Sequence, residues 1–188
     1  MIFTEVKLPG AYIVDVERRE DSRGFFARTF CARELEARGL ETLVVQCNVS
    51  YNLKRGTLRG LHYQIPPSAE AKVIRCTSGA IYDVIVDVRP TSPTYLQHVA
   101  VELTAENHRA LYLPEGFAHG YQTLSDGAEL AYQMSEFYAP ALERGLRYDD
   151  PVLDIRWPLP VAEISEKDRS WPLLPMPVAT PAPAAEAD

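Results

Sequence analysis

The sequence lacks the patterns that mark several common classes of protein. Its three cysteines, Cys31, Cys47 and Cys76, form no Cys-x-x-Cys pair, so neither a zinc site nor a disulfide framework is indicated. No apolar run is long enough to span a bilayer, and the first twenty residues hold no apolar stretch typical of a signal peptide. The glycine patterns of P-loop and dinucleotide-binding proteins are also missing. We therefore expect a cytoplasmic protein with reduced thiols.

Positive charge is scarce as well. Nineteen Lys and Arg stand against 26 Asp and Glu, a net charge of -7, which argues against nucleic acid or an anionic membrane as the main partner. A chain of 188 residues has the length of one domain. Because its end is rich in Pro and Ala, we predict a single domain over residues 1–172 and a disordered tail over 173–188.

Helical patterns are few, and only Ala32 to Arg38 reads clearly as a helix. Apolar residues instead alternate with polar ones in short segments separated by Gly, Pro and Asp. The strand candidates are residues 11–17, 25–30, 42–51, 57–64, 71–77, 81–88, 99–103, 109–113, 118–124 and 128–136. Many short strands at regular spacing predict an antiparallel β-sandwich or barrel.

Ionisable side chains are concentrated in the predicted strands that hold Arg59, His62 and Lys72. An imidazole titrates near neutral pH and suits a general base, although a lone strand histidine is more often a buried structural one. Lys72 shares a face with apolar residues, where it either snorkels at the strand end or stabilises an anion. Strict alternation separates Arg59 from His62, but a bulge at Gly60 would bring both to one side.

Two further side chains are candidates for the same interior. Tyr132 shares a face with Leu130 and Met134, so its hydroxyl is expected to point inward, as in a core aromatic whose hydroxyl finds a partner. His119 is either a hydrogen-bond donor to a substrate or a rim residue. No His-x-His pair accompanies them, and a metal site needs three or four ligands. We therefore predict no metal.

Several longer motifs occur in a fixed order along the chain. They are DSRGFF at 21–26, QCNVS at 46–50, GTLRGLHYQ at 56–64, AK at 71–72, PEGFAHG at 114–120 and ISEKD at 164–168. Together with Tyr132, Tyr138 and Glu143, they resemble the dTDP-4-dehydrorhamnose 3,5-epimerase family from about residue 2 to about residue 172. The resemblance implies a metal-free, cupin-like antiparallel jelly roll with a few short helices.

The resemblance also implies a reaction. The family's substrate is a nucleoside-diphosphate 4-keto-6-deoxy sugar, most typically dTDP-4-dehydro-6-deoxy-D-glucose, which becomes dTDP-4-dehydro-L-rhamnose. A base removes the C3 or C5 proton that the C4 ketone acidifies, and an acid returns a proton to the opposite face of the enolate. The ketone is the electron sink, so no metal or redox cofactor is implied.

Site residues follow from the matching positions. His62 matches the base, Tyr132 the acid, Asp168 the carboxylate paired with the base, and Lys72 the cation near the C4 oxygen. The positions matching substrate contacts are Arg23 and Arg59 at the diphosphate, Phe26 and Tyr138 at the nucleobase, and Gln46, Asn48, His119 and Glu143 elsewhere. Family members are typically homodimers with exchanged N-terminal strands, so Arg23 and Phe26 would serve the neighbouring subunit.

The chain departs from the family pattern at two positions. Arg28 stands where Glu is common at the nucleotide end, so it would contact a phosphate or a different base, or point to solvent. Glu70 stands where Gln is usual. Three alternatives to a 3,5-epimerase stay open: a mono-epimerase, a non-catalytic sugar-nucleotide-binding protein and a metal-dependent oxygenase, the last disfavoured by the ligand count.

Overall fold

The computed structural model of the protein describes residues 1–175, and short strands make up most of its regular structure. The strands are β1 (Ile2–Glu5), β2 (Tyr12–Asp15), β3 (Arg19–Asp21), β4 (Gly24–Phe26), β5 (Gln46–Asn52), β6 (Leu58–Gln64), β7 (Lys72–Ser78), β8 (Ala80–Asp87), β9 (His98–Thr104), β10 (Ala110–Leu113), β11 (Phe117–Thr123), β12 (Ala128–Met134) and β13 (Glu143–Gly145). The helices are α1 (Ala32–Glu36), α2 (Glu166–Arg169) and a 3-10 turn, Pro140–Leu142. Within this range no helix is long and apolar enough to cross a membrane.

Two antiparallel sheets pack face to face. One has the order β1-β2-β10-β7-β12-β5 and the other β13-β6-β11-β8-β9, while β3 and β4 form a separate hairpin. Apolar side chains from the two inner faces, among them Ile74, Ile85, Leu111 and Phe117, form the main core between the sheets. Each such buried side chain contributes roughly 1.5–3 kcal/mol to folding. The predicted jelly-roll sandwich is confirmed.

The outer faces of the two sheets are covered unequally. Leu146, Leu153 and Trp157 of the C-terminal segment pack on Val84 and Val86, so β8 is buried on both faces. The outer face of the six-stranded sheet is covered at one end by helix α1 and neighbouring segments. Its other end, around β5, leaves apolar side chains exposed.

Strand boundaries differ from the predictions in a few places. The strand predicted at 42–51 begins only at Gln46, because the Glu41 carboxylate accepts the backbone N–H groups of Thr42 and Leu43. The strand predicted at 25–30 ends at Phe26, and the helix predicted to Arg38 ends at Glu36. Strands β1, β3 and β13 were not predicted. The single domain over 1–172 stays a prediction, and residues 176–188 of the predicted tail lie outside the described residues.

Candidate active site

A bulge in β6 brings two of the candidate side chains to one face. His119 and Tyr121 of β11 pair with His62 and Arg59 of β6. Between these two pairs β6 therefore has one residue more than β11. Gly60 lies in the extra segment with φ +103°, a conformation that glycine adopts at little cost. The bulge predicted at Gly60 is therefore present, and both Arg59 and His62 face the interior.

A cavity of about 840 Å³ opens between the two sheets at this place. Its size suits a small-molecule ligand of nucleotide-sugar dimensions. Strands of both sheets and helix α2 line it. The predicted site residues on its walls are Asn48, Arg59, His62, Lys72, His119, Tyr132 and Asp168.

The imidazole of His62 is paired with the Asp168 carboxylate, whose Oδ1 lies 2.6 Å from Nε2. Ser165 caps α2 by accepting the Asp168 N–H, and the other carboxylate oxygen accepts the Gly60 N–H. Burial raises the pKa of Asp168, but the hydrogen bond and charge of His62 and these other donors outweigh it, so the pKa is lowered. The ionised carboxylate accepts the Nε2 proton, which leaves Nδ1 of His62 as the basic nitrogen.

A second histidine–carboxylate pair lies beside the first. His119 Nε2 is 2.7 Å from Asp83 Oδ1, and both side chains are buried. Burial raises the pKa of Asp83, and within residues 1–175 its Oδ2 has no hydrogen-bond partner. A strand was predicted over residues 81–88, but the sequence pattern did not show that the Asp83 side chain faces the interior. The pair holds the imidazole of His119 at the cavity wall.

Tyr132 contributes a phenol from the sheet opposite His62. Its ring meets the edge of the His119 ring at a centroid distance of 5.9 Å. Burial, and then the neighbouring Tyr121 and Asp83, hold the pKa of Tyr132 well above its usual range. The hydroxyl therefore keeps its proton and can act as a donor.

Lys72 does not snorkel to the strand end. Its side chain is 7% exposed, and its ammonium lies 2.9 Å from the Glu70 carboxylate, which is equally buried. Since Lys72 borders the cavity, it places a cation where an anion formed on a ligand would be stabilised. The role of Glu70 as its ion-pair partner was not predicted.

Arg59 is held in place by a single buried amide. Its Nε donates to Asn52 Oδ1 at 2.8 Å, and Asn52 in turn donates to the Ala128 carbonyl. The rest of the guanidinium borders the cavity, where Lys167 and Arg169 of α2 add further positive charge. Arginine favours phosphate oxygens because its fork donates two parallel hydrogen bonds.

A smaller cavity of about 180 Å³ adjoins the main one and shares His62 and Lys72 with it. At its rim, Glu143 accepts hydrogen bonds from the Tyr138 hydroxyl and the Lys167 ammonium. Gln46 accepts the backbone N–H of Tyr138. The structure thus gathers Gln46, Tyr138 and Glu143 at one end of the site.

Three predicted site residues are not brought to the cavity by this chain. Arg23 and Phe26 lie in the exposed β3–β4 hairpin, where Arg23 pairs with Asp21 and the Phe26 ring is 72% exposed. Arg28 is exposed and pairs with Glu34 of α1 at 2.7 Å. Within a single subunit, none of the three lines the cavity.

Metal ligands do not gather here. In residues 1–175 no three His, Cys, Asp or Glu side chains are grouped so that they could hold an ion. The prediction of a metal-free reaction remains a prediction.

The sequence is similar to those of a family of known proteins. The family model described as dTDP-4-dehydrorhamnose 3,5-epimerase matches residues 5–175. The chain belongs to this family. Its relative from Methanothermobacter thermautotrophicus, a dTDP-4-dehydrorhamnose 3,5-epimerase, is 43% identical over 94% of this chain and 96% of its own.

Solved structures of the epimerase family share the fold. The Bacillus anthracis enzyme with TDP and PPi bound is 41% identical, with a TM-score of 0.88 over 92% of this chain and 99% of its own. The Legionella pneumophila enzyme in complex with dTDP-4-keto-L-rhamnose is 38% identical, with a TM-score of 0.85 over 92% of each chain. A 3'-monoepimerase from Streptomyces bikiniensis, in complex with dTDP-quinovose, is 37% identical, with a TM-score of 0.81 over 89% and 85%.

Proposed function

We propose that the protein inverts C3 and C5 of a nucleoside-diphosphate 4-keto-6-deoxy sugar, with dTDP-4-dehydro-6-deoxy-D-glucose as substrate and dTDP-4-dehydro-L-rhamnose as product. One observation carries the proposal. The candidate base, His62, stands on the five-stranded sheet, and the candidate acid, Tyr132, stands on the six-stranded sheet across the same cavity. Inversion requires a proton to leave one face of a carbon and another to arrive at the opposite face.

The proton transfers follow from this arrangement. Nδ1 of His62 takes the C–H proton next to the C4 ketone, and the bonding electrons move onto the C4 oxygen as an enolate. The Lys72 ammonium stabilises that negative charge as it develops. Tyr132 then donates its hydroxyl proton to the opposite face of the carbon, and exchange with water restores both groups for the next turnover.

The remaining candidate residues bind the nucleotide. Arg59, with Lys167 and Arg169, offers cationic contacts to the diphosphate. Asn48 and His119 contact the sugar, while Gln46, Tyr138 and Glu143 surround the nucleobase end. Because Arg28 already pairs with Glu34, we assign it no base contact within its own subunit.

We further propose a homodimer in which the β3–β4 hairpin reaches the neighbouring site. The uncovered end of the six-stranded sheet exposes Val49 and Tyr51. On the same face, Arg75 buries both terminal guanidinium nitrogens, which have no hydrogen-bond partner within residues 1–175. A second subunit would cover the apolar side chains, supply acceptors to Arg75 and bring Arg23 and Phe26 to a site.

Light scattering tests the dimer. We expect twice the chain mass for the parent protein and a monomer for Val49→Asp, because a buried unpaired carboxylate disrupts an apolar interface. Leu173→Asp changes an exposed apolar residue of the C-terminal segment and serves as the matched control. A monomeric parent would contradict the proposal.

The three cysteines are free thiols, which supports a cytoplasmic location.

A mono-epimerase is the second candidate, because a 3'-monoepimerase shares the fold at 37% identity. Proton NMR in heavy water with dTDP-4-dehydro-6-deoxy-D-glucose separates the two. Deuterium at both C3 and C5 is expected for the proposed function, and deuterium at one carbon would establish a mono-epimerase. The corresponding UDP sugar is tested in parallel. If neither substrate takes up deuterium at C3 or C5, an epimerase activity on either nucleotide sugar is rejected.

A further inference from the structure

The Glu70–Lys72 pair is the most deeply buried ion pair of the cavity wall that does not involve histidine. Each side chain is 7% exposed, and Nζ of Lys72 lies 2.9 Å from Oε1 of Glu70. An ammonium moved from water into a protein interior loses much solvation free energy unless a counter-charge stands beside it. In residues 1–175 Glu70 is the carboxylate within ion-pair distance of Lys72.

A network of fixed groups sets the position of the Glu70 carboxylate. Its Oε2 accepts a hydrogen bond of 3.1 Å from Nε2 of Gln64, which is itself buried in β6. The Ser68 and Phe137 carbonyls lie 2.9 and 3.2 Å from the same amide nitrogen, so its two N–H groups are shared among three acceptors, and the amide oxygen accepts the Ala139 N–H at 2.6 Å. These contacts fix the Gln64 amide, which in turn fixes the Glu70 carboxylate, and the ion pair with Glu70 fixes Lys72.

We propose that Glu70 is a positioning residue for the reaction: its carboxylate anchors Lys72 in the cavity wall and supplies the counter-charge of the buried ammonium. The inference rests on the proposed function, in which Lys72 stabilises an enolate. A neutral amine would lose that electrostatic stabilisation. Glu70 itself touches no substrate, and its effect passes through Lys72.

Other groups around Lys72 also carry charge or titrate, so the test must separate them. Those that line the same two cavities, or act on them from β8, are Arg59, His62, Tyr63, Asp83, His119, Tyr121, Tyr132, Glu136, Tyr138, Glu143, Glu163, Lys167, Asp168 and Arg169. Asp83 is already bonded to His119, and Glu143 to Lys167 and Tyr138. The phenol of Tyr132 keeps its proton far into the alkaline range, so its own titration does not account for a difference between the variant and the parent at moderately alkaline pH.

The experiment compares Glu70→Gln with the parent across the pH range. The substitution keeps the shape and removes the charge. We expect kcat to differ by less than about threefold near pH 7 and to fall at least roughly threefold below that of the parent near pH 10, since an opposite charge at this distance stabilises an ammonium by a tenfold factor or more. The KM is expected to stay within about twofold, because the bound ground-state substrate does not carry the enolate charge.

Two variants control for charge and shape. Glu102→Gln removes an exposed carboxylate of β9, at the far edge of the five-stranded sheet and outside both cavities, so its pH profile should match that of the parent. Glu70→Asp retains the charge and should recover part of the alkaline activity. Superimposable profiles for Glu70→Gln and the parent would overturn the inference.

A second measurement does not depend on turnover. NMR of lysine labelled at the ε-carbon reports the protonation of Lys72 directly in the parent and in Glu70→Gln. We expect Lys72 to lose its proton at a lower pH in the variant, and an unchanged titration would overturn the inference. If the parent showed no proton exchange at C3 or C5, the proposed function would fail while this titration still decided the role of Glu70.

Discussion

The His62–Asp168 and His119–Asp83 pairs are chemically alike, but they lie in different surroundings. The two histidines are opposite each other on adjacent strands, and their carboxylate contacts measure 2.6 and 2.7 Å. The His62 side chain is 33% exposed to the cavity, whereas that of His119 is 6% exposed. Similar geometry therefore leaves one imidazole able to exchange a proton with ligand and water and the other enclosed.

The carboxylates differ as well. The Asp168 carboxylate accepts hydrogen bonds from His62 and from the Gly60 N–H, and these outweigh burial and lower its pKa. Asp83 has one donor, His119, and burial raises its pKa. The number of hydrogen-bond donors around the carboxylate therefore decides whether its pKa is lowered, and only a carboxylate that stays ionised can support a neighbouring histidine as a base.

The largest expected difference comes from replacing each histidine. His62→Asn removes the base and should lower kcat about 10³-fold, within the usual range for general-base catalysis. His119→Asn retains an amide that can bond Asp83 and should lower kcat only about tenfold, as for the loss of one polar contact. Steady-state kinetics measures both, and dTDP binding by calorimetry checks that the site survives. Equal losses would erase the functional distinction between the pairs.

Replacing the first carboxylate should have the next largest effect. Asp168→Asn leaves the contact but removes the ionised acceptor that fixes the His62 tautomer, so we expect kcat to fall roughly 10²-fold. The pH profile of kcat provides the check, because its acidic limb, where a general base becomes protonated, should move with the substitution. An unchanged profile and rate would mean that Asp168 does not act on the base.

The same change in the second pair should matter less. Asp83→Asn keeps an oxygen for the His119 N–H, and the new amide group occupies the position of an oxygen that lacks a partner in the described residues. We expect kcat to fall by about tenfold or less, because only the placement of His119 is affected. A loss as large as that of Asp168→Asn would place the second pair in the proton transfer itself.

Local patterns were sufficient to predict the parts of the site that depend on strand geometry. Period-two alternation placed Lys72 and Tyr132 on inward faces, and the glycine at 60 indicated the bulge that unites Arg59 with His62. Side chains on neighbouring strands were predictable to this extent because the pleat fixes their direction.

Partners that are distant along the chain could not be found in this way. Asp168 lies 106 residues from His62 and was placed only by the family resemblance. The pairing of Asp83 with His119 was not predicted. Because β8 is buried on both faces, alternation does not show which face of the strand points to the interior. The Glu70–Lys72 contact spans two residues, yet it forms where β7 begins, and strand alternation says nothing about the backbone before a strand.

The smallest predicted effect is on the free energy of unfolding, whose dependence on pH has opposite signs for the two carboxylates. A carboxyl whose pKa is lowered by folding stabilises the protein above its unfolded-state pKa, and this contribution is lost as the pH falls through the folded value. Asp168→Asn should therefore have a lower free energy of unfolding than the parent, and this difference should become smaller below about pH 4. For Asp83, whose pKa is raised, the parent loses stability as the pH rises above about 4, so Asp83→Asn should gain relative to the parent. Urea unfolding between about pH 3 and pH 7 measures both differences. Parallel pH dependences would mean that the two carboxylates have the same charge state, and the distinction between the pairs would then rest on exposure alone.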